Sequence, residues 1–154
     1  MISPEVLRKY EFFGFLSSDN LDKVAMLSQE IEWAAGDTVF ENDTPADFLF
    51  LLEAGEVELN YRVGDTIVSD KSKEFYVGHI NPGELFGFSA LFEPYIYTAF
   101  CAASESSRGI KVEAKQLREL AENDPEFGYG LMKAVARAEF ERLTLISQQL
   151  VAAR

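Results

Sequence analysis

Cysteine, histidine and tryptophan each occur once in this 154-residue sequence, as Cys101, His79 and Trp33. A single cysteine admits no internal disulfide, and one cysteine with one histidine gives no cluster of the kind that cages zinc or iron. A metal enzyme built on nitrogen or sulfur ligands is therefore not expected. Long hydrophobic runs are also missing, none approaching the roughly 18 residues that span a bilayer. The start, Met1-Ile2-Ser3-Pro4-Glu5, lacks the basic flank and apolar stretch of a signal peptide. These absences lead us to expect a cytoplasmic chain with no membrane partner. Proline (5) and glycine (10) are sparse beside 13 Phe and 6 Tyr, far from the composition of disordered chains. With 47% hydrophobic and 26% charged residues, one globular domain over residues 1–154 is expected.

Positive charge is scarce as well: 14 Lys and Arg stand against 26 Asp and Glu, a net charge of −12. Residues 1–113 hold 8 basic against 20 acidic side chains, and residues 114–154 hold 6 of each. Nucleic-acid binding rests on Lys and Arg displacing counterions from phosphates, so this surface is expected to repel a polyanion. No direct nucleic-acid partner is predicted, and the acidity reads as a solubilising surface.

Three segments follow from the periodicity. Over residues 1–30, Ser3-Pro4 ahead of Val6, Leu7 and Tyr10, and Ser18 ahead of Leu21, Val24, Ala25 and Leu27, predict two short helices. Between them, Phe12, Phe13, Phe15 and Leu16 around Gly14 form an apolar knot expected to plug the core. Over residues 31–113 the period falls to two. Ile31–Ala34, Thr38–Phe40, Phe48–Leu52, Val57–Val63, Phe75–Ile80, Thr98–Ala102 and Gly109–Val112 read as short strands. Turn signals separate them at Ala35-Gly36-Asp37, Asn42-Asp43-Thr44-Pro45, Ala54-Gly55, Gly64-Asp65 and Asn81-Pro82-Gly83. Gly64-Asp65-Thr66 reads as a hairpin tip and residues 69–73 as a polar loop. Such closely spaced strands predict a mainly β domain with flanking helices: a small antiparallel barrel, sandwich or jelly roll.

Over residues 114–154 the helical period returns. Ala114–Glu122 is one short helix, and Asn123-Asp124-Pro125-Glu126 caps a long one running to about Ala152. Its later apolar positions, Phe140, Leu143, Ile146 and Leu150, continue after the strand region has ended. We read them as a homodimer contact, with packing on the β-domain as the other reading.

Catalytic candidates are few. Cys101 sits in a predicted strand between Phe100 and Ala102 and reads as a buried, inert thiol; His79 has no Ser/Asp arrangement near it in sequence and reads as structural. Trp33 reads as core, and Glu53, Glu56 and Glu58 flank a hairpin corner and read as a solvated strand edge. No enzymatic activity and no resident cofactor are predicted.

The stretch from Ala35 to Val57 resembles the opening of the cyclic nucleotide-binding domain family, which includes the effector half of catabolite-activator-like regulators. Gly36 and Gly55 fall at the family's glycine turns, with Asp47 and Phe48–Leu52 as its acidic and strand positions. Ile80-Asn81-Pro82-Gly83-Glu84-Leu85-Phe86-Gly87 is similar to the turn and strand leading into the family's phosphate-binding cassette, and Tyr97-Thr98-Ala99 falls at its end. The resemblance runs over roughly residues 5–150. It implies an antiparallel β-roll, double-stranded and jelly-roll-like, with short N-terminal helices and two C-terminal ones. It also implies a regulatory role in which a small ligand in the roll is coupled to the C-terminal helices.

The family's glutamate for the ribose and arginine for the cyclic phosphate stand here as Phe88 and Tyr97. Charge-assisted bonds are each worth roughly 1.5–3 kcal/mol, so losing both handles would weaken a cyclic nucleotide by about a thousandfold or more. The candidate pocket comprises Phe86, Gly87, Phe88, Ser89, Ala90, Leu91, Tyr97, Thr98 and Ala99, with Arg142 able to reach in from the long helix. Free N–H groups of a short helix over Ser89, Ala90 and Leu91 would still face a small anion. Phe88, Phe92, Tyr95 and Tyr97 either line a pocket for an apolar or aromatic molecule or fill it, leaving a ligand-free dimerisation or protein-interaction scaffold; the remaining reading is a cyclic-nucleotide site in which another polar group replaces the lost charges. Reading DNA would require a helix-turn-helix domain after the long helix. None follows in this sequence, so as given the chain is not expected to read DNA itself; it reads either as a piece of a longer regulator or as a domain that signals through a protein partner.

Overall fold

The computed structural model describes residues 1–63 and 73–154. The hairpin tip expected at Gly64-Asp65-Thr66 and the polar loop expected at 69–73 lie outside the described residues, except for Lys73, which opens a strand. Helix α1 (Pro4–Arg8), a 3-10 turn (Glu11–Phe15) and α2 (Ser18–Met26) open the chain. Ser17, not Ser18, caps α2 by accepting the Asn20 N–H at 3.2 Å.

The strands are β1 (Ser28–Trp33), β2 (Thr38–Phe40), β3 (Phe48–Ala54), β4 (Val57–Val63), β5 (Lys73–Ile80), β6 (Leu85–Phe86), β7 (Phe100–Ala103) and β8 (Ser107–Glu113). Among the described residues all pairings are antiparallel, in two four-stranded sheets ordered β1-β8-β3-β6 and β2-β7-β4-β5. The roll with flanking helices is thus the architecture the sequence implied. β1 begins at Ser28 because Ser28, Gln29 and Glu30 pair with Val112, Lys111 and Ile110. Nothing in the local pattern of those polar residues signals that pairing.

Helix α3 (Ala114–Asn123) is capped by Glu113, whose carboxylate accepts the Lys115 and Gln116 N–H groups. Helix α4 (Pro125–Ala152) is capped by Asp124, which accepts the Phe127 N–H at 3.2 Å, with Pro125 supplying the first-turn φ.

Two cores result, sharing β3 as a common wall. Between the sheets lie Trp33, Phe40, Phe50, Leu52, Val57, Ile80, Phe86 and Cys101. Between the first sheet and the helices lie Leu49, Leu51, Ile110 and Val112 with Leu7, Phe13, Leu117, Phe127, Leu131 and Val135. Alternate residues of β3 therefore serve opposite cores, as the two-residue strand period dictates. The apolar knot enters the helical core through Phe13, whereas Phe15 stays 37% exposed and lays its ring against Gly130 of α4.

One edge expectation is corrected. The Glu53 side chain is only 7% exposed and pairs with Arg108 Nε at 2.9 Å, leaving Oε1 buried without a hydrogen-bond partner. Strand β8 passes beside β3 and brings Arg108 over it, so the corner carboxylate is paired and covered rather than solvated. Glu56 is held too, accepting the Ser104 hydroxyl at 2.9 Å.

Candidate functional site

The segment between β6 and β7 begins at Gly87, whose φ of +80° is left-handed and whose added Cβ would lie 3.1 Å from the Phe50 ring. Gly87 opens a 3-10 turn, Phe88–Leu91. Residues three apart in such a turn share a side. Phe88 and Leu91 accordingly join the helical core, and Ala90 joins the roll interior. The two replaced positions are thereby separated: Phe88 packs toward α4 and Tyr97 packs inside the roll.

Inside the roll, rings occupy the space. Tyr97 stacks on Phe40 with centroids 4.0 Å apart and planes 13° apart, and Phe50 stacks on Phe86 at 5.2 Å. Phe40 lies 5.9 Å from Phe50 and 6.3 Å from Phe86, and Trp33 closes the end of the set at 6.0 Å from Phe50. The Tyr97 hydroxyl donates to the Phe48 carbonyl at 2.6 Å and accepts the Phe48 N–H at 3.3 Å. Burial pushes its pKa up to about 12 despite that backbone bond. Cys101, fully buried behind these rings, has its thiol pKa pushed well up by the same desolvation, so it is not a nucleophile at neutral pH.

The other pocket candidates lie elsewhere. Ser89 and Ala99 are half-buried and Thr98 is exposed. Phe92 is 50% exposed, and Tyr95 sits under the Arg118 guanidinium at 3.8 Å. Arg118 also donates to the Ala90 carbonyl at 2.6 Å, tying α3 to the cassette turn. Arg142 does not reach the roll interior. Its Nη2 donates to the Leu85 carbonyl at 2.8 Å, its Nη1 bonds Glu139 at 3.1 Å, and its guanidinium stands 5.5 Å from the Phe88 ring centroid. Arg142 therefore pins the second half of α4 to β6.

Helix α4 has two apolar faces. Phe127, Leu131 and Val135 are buried on the inner one. Opposite them Tyr129, Phe140, Leu143, Leu150 and Val151 are 63–70% exposed. Ile146, grouped in sequence with Phe140, Leu143 and Leu150, instead turns inward. It lines a cleft of about 660 Å³ between α4, the Glu11–Phe15 turn and β4–β6. The sequence reading missed this cleft, along with the interior role of Phe40 and Phe50 and the outward faces of Tyr129 and Val151. The alternation of β3 and a helical projection of α4 carry those signals. Among the described residues no group of three or more His, Cys, Asp and Glu side chains is placed to hold a metal ion, and no helix is long and apolar enough to cross a membrane.

A β-roll with a glycine-opened cassette turn, followed by a short and a long helix, defines a cyclic-nucleotide-binding fold. The sequence profile described as "Cyclic nucleotide-binding domain" matches residues 30–124, and the chain belongs to that family. It is similar to the CRP-like cAMP-activated global transcriptional regulator of Mycobacterium tuberculosis, with 23% identity over 133 residues. That match covers 86% of this chain and 57% of the regulator, so the chain spans little more than half of its curated relative. Among solved structures, one from Geobacter metallireducens, named for cyclic nucleotide binding, shares 38% identity. Its TM-score is 0.80, over 93% of this chain and 99% of that one. The regulatory domain of Toxoplasma gondii PKA with cAMP has a TM-score of 0.69 at 16% identity, covering 86% of this chain and 48% of that one, and shows the fold alone.

Proposed function

We propose that this chain is a non-catalytic regulatory module that keeps the family's roll and output helix but has closed the roll interior to cyclic nucleotides. The carrying observation is Tyr97. It stands at the position where the family's arginine meets the cyclic phosphate, and its ring is stacked on Phe40 with its hydroxyl bonded to Phe48. A nucleotide entering there would have to unstack the rings, and the family's cation is missing from position 97; Lys111 stands instead 4.5 Å from the Phe48 ring centroid. Phe88 offers no ribose acceptor, being packed into the helical core.

Output runs through α4. Arg142 and Phe15 dock its inner face on β6 and the N-terminal turn, and its outer face of Phe140, Leu143 and Leu150 meets a second copy of the chain. A shift in the inner contacts alters how that outer face is presented, which is the population-shift logic of a two-state sensor. The loss of the family's two charged handles, at Phe88 and Tyr97, equally suits a ligand-free dimerisation scaffold.

Calorimetric titration with cyclic AMP and cyclic GMP, on the wild type and on Phe88→Glu/Tyr97→Arg, tests the closed roll. No saturable heat from the wild type is expected. Saturable micromolar binding by the wild type would overturn the reading.

A further inference from the structure

Strand β1 is one edge of its sheet, and the middle of that edge is open. Gln29, Glu30 and Glu32 are exposed and Ile31 is half-buried. Among the described residues no backbone hydrogen bond beyond the β8 ladder reaches positions 29–32. At the other edge of the same sheet, β6, Arg142 caps the Leu85 carbonyl at 2.8 Å. Alternate N–H and C=O groups of β1 therefore point into water in a row, the arrangement that accepts a further strand.

Charge selects which strand. Residues 24–61 carry nine acidic side chains and no basic one. Ile31 and Trp33 turn toward the roll interior, so Glu30 and Glu32 share the opposite face, about 7 Å apart along the strand. On that face Glu32 stands directly across from Arg108 of β8, and Arg108 in turn holds Glu53 of β3 at 2.9 Å. From the open edge inward the row reads minus, plus, minus. Opposite charges across a ladder attract, and this row ends in water on a carboxylate. Lys111, the other base of β8, faces the roll and stands at the Phe48 ring. Arg108 thus serves several acids: Glu53 above all, with Glu30 and Glu32 behind it, raises its pKa.

Glu53 adds an independent sign that a cation is wanted on this face. Its side chain is only 7% exposed, Arg108 gives its Nε to Oε2, and Oε1 is buried without a hydrogen-bond partner. A base brought up opposite Glu32 would relieve Arg108 of that carboxylate and free its Nη groups for Oε1.

We propose that β1 is a docking edge that adds an extended basic segment of a partner protein as a fifth strand of its sheet. Lys or Arg at alternate positions meets Glu30 and Glu32, and apolar residues between them lie on the Ile31 side. This surface acts independently of what the roll interior binds. A second copy of the chain is the wrong occupant, since its own β1 would set glutamates against glutamates and its net charge of −12 opposes the approach.

The test is a calorimetric titration of the full chain with a capped lysine–valine–lysine–valine–lysine peptide. Two relatives of the peptide are run beside it: one with proline for valine, which keeps the charge but not the strand, and one with glutamate for lysine. The chain is compared with Glu30→Gln/Glu32→Gln and with Glu119→Gln/Glu122→Gln, an equal loss of charge at exposed positions on α3. Amide hydrogen exchange of the wild type with the peptide bound gives a readout that needs no variant. One lysine–valine peptide per chain is expected, bound about fivefold more weakly by the β1 variant and unchanged by the α3 variant, with slowed exchange within residues 29–32. No saturable binding, or protection only outside β1, would overturn the docking edge, as would equal weakening in the two variants. Equal binding of the proline peptide would overturn strand addition, and equal binding of the glutamate peptide would overturn the basic partner.

Discussion

The Tyr97 ring lies 4.0 Å from the Phe40 ring and 13° from parallel with it, with its hydroxyl on the Phe48 carbonyl at 2.6 Å. One side chain thus fills the roll interior and ties the β6–β7 segment to β3. Tyr97→Phe keeps the ring and removes the hydrogen bond. It is expected to lower unfolding stability by about 1 kcal/mol in urea denaturation. Tyr97→Ala removes the ring as well, and a loss of about 3–5 kcal/mol is expected.

The same residue gives the protein an alkaline limb. Burial raises the Tyr97 pKa from 10.0 to about 12, so the folded state holds the phenol proton more tightly than the unfolded chain. The stability this contributes is intact below pH 10 and is lost as the pH rises through about 12. Urea midpoints measured across that window should fall more steeply for the wild type than for Tyr97→Phe. Cys101, also raised by burial, adds an alkaline loss to both proteins, so their difference isolates Tyr97. Parallel curves would contradict the assignment.

Arg142→Ala removes the Nη2 bond to the Leu85 carbonyl. The side chain is 22% exposed, so part of a charged bond's worth is screened and a loss of about 1–2 kcal/mol is expected. Hydrogen exchange should quicken along residues 139–152 while β3 and β8 keep their protection. Uniform quickening over the whole chain would mean that Arg142 supports the fold at large rather than the docking of α4.

Phe140→Glu/Leu143→Glu places two carboxylates on the outer face of α4, where both side chains are more than 60% exposed. Sedimentation should convert a dimer into a monomer with the thermal midpoint of the roll little changed. A wild type that sediments as a monomer at tens of micromolar would remove the dimer from the proposal.

Arg108→Ala and Glu53→Met break the same ion pair from opposite ends, with unequal results. Removing Arg108 leaves a Glu53 carboxylate that is 7% exposed and has one oxygen already unpartnered. Removing Glu53 leaves an arginine that reaches water. Arg108→Ala should therefore have the lower urea midpoint of the two.

Much of the architecture was legible from the sequence. Thr38–Phe40, Val57–Val63 and the capped start of α4 at Pro125 stand where alternation, turn residues and Asp124-Pro125 put them. The site was less legible, for two reasons of direction. A 3-10 turn rotates each successive side chain by about 120°, so Phe88 left the roll while Tyr97, fixed by a strand-edge contact, stayed inside. At about 100° per residue, Ile146 lies roughly 120° around α4 from Phe140, which sends it to the cleft although the apolar spacing looks continuous. The Arg108–Glu53 pair was invisible because its partners are 55 residues apart and meet only through the β3–β8 register.

That register has an unusual guard. Most strands are held in line by polarity, because a slip of one residue would turn greasy side chains to water. β3 has no such protection, since Phe48, Phe50 and Leu52 face one core and Leu49 and Leu51 face the other. A slipped β3 would still be apolar on both sides, but it would push leucines into a gap cut for flat rings and rings into a gap cut for leucines. Alignment in this strand is enforced by shape, so Phe50→Leu, conservative by hydropathy, relaxes the constraint that keeps the two cores from exchanging contents.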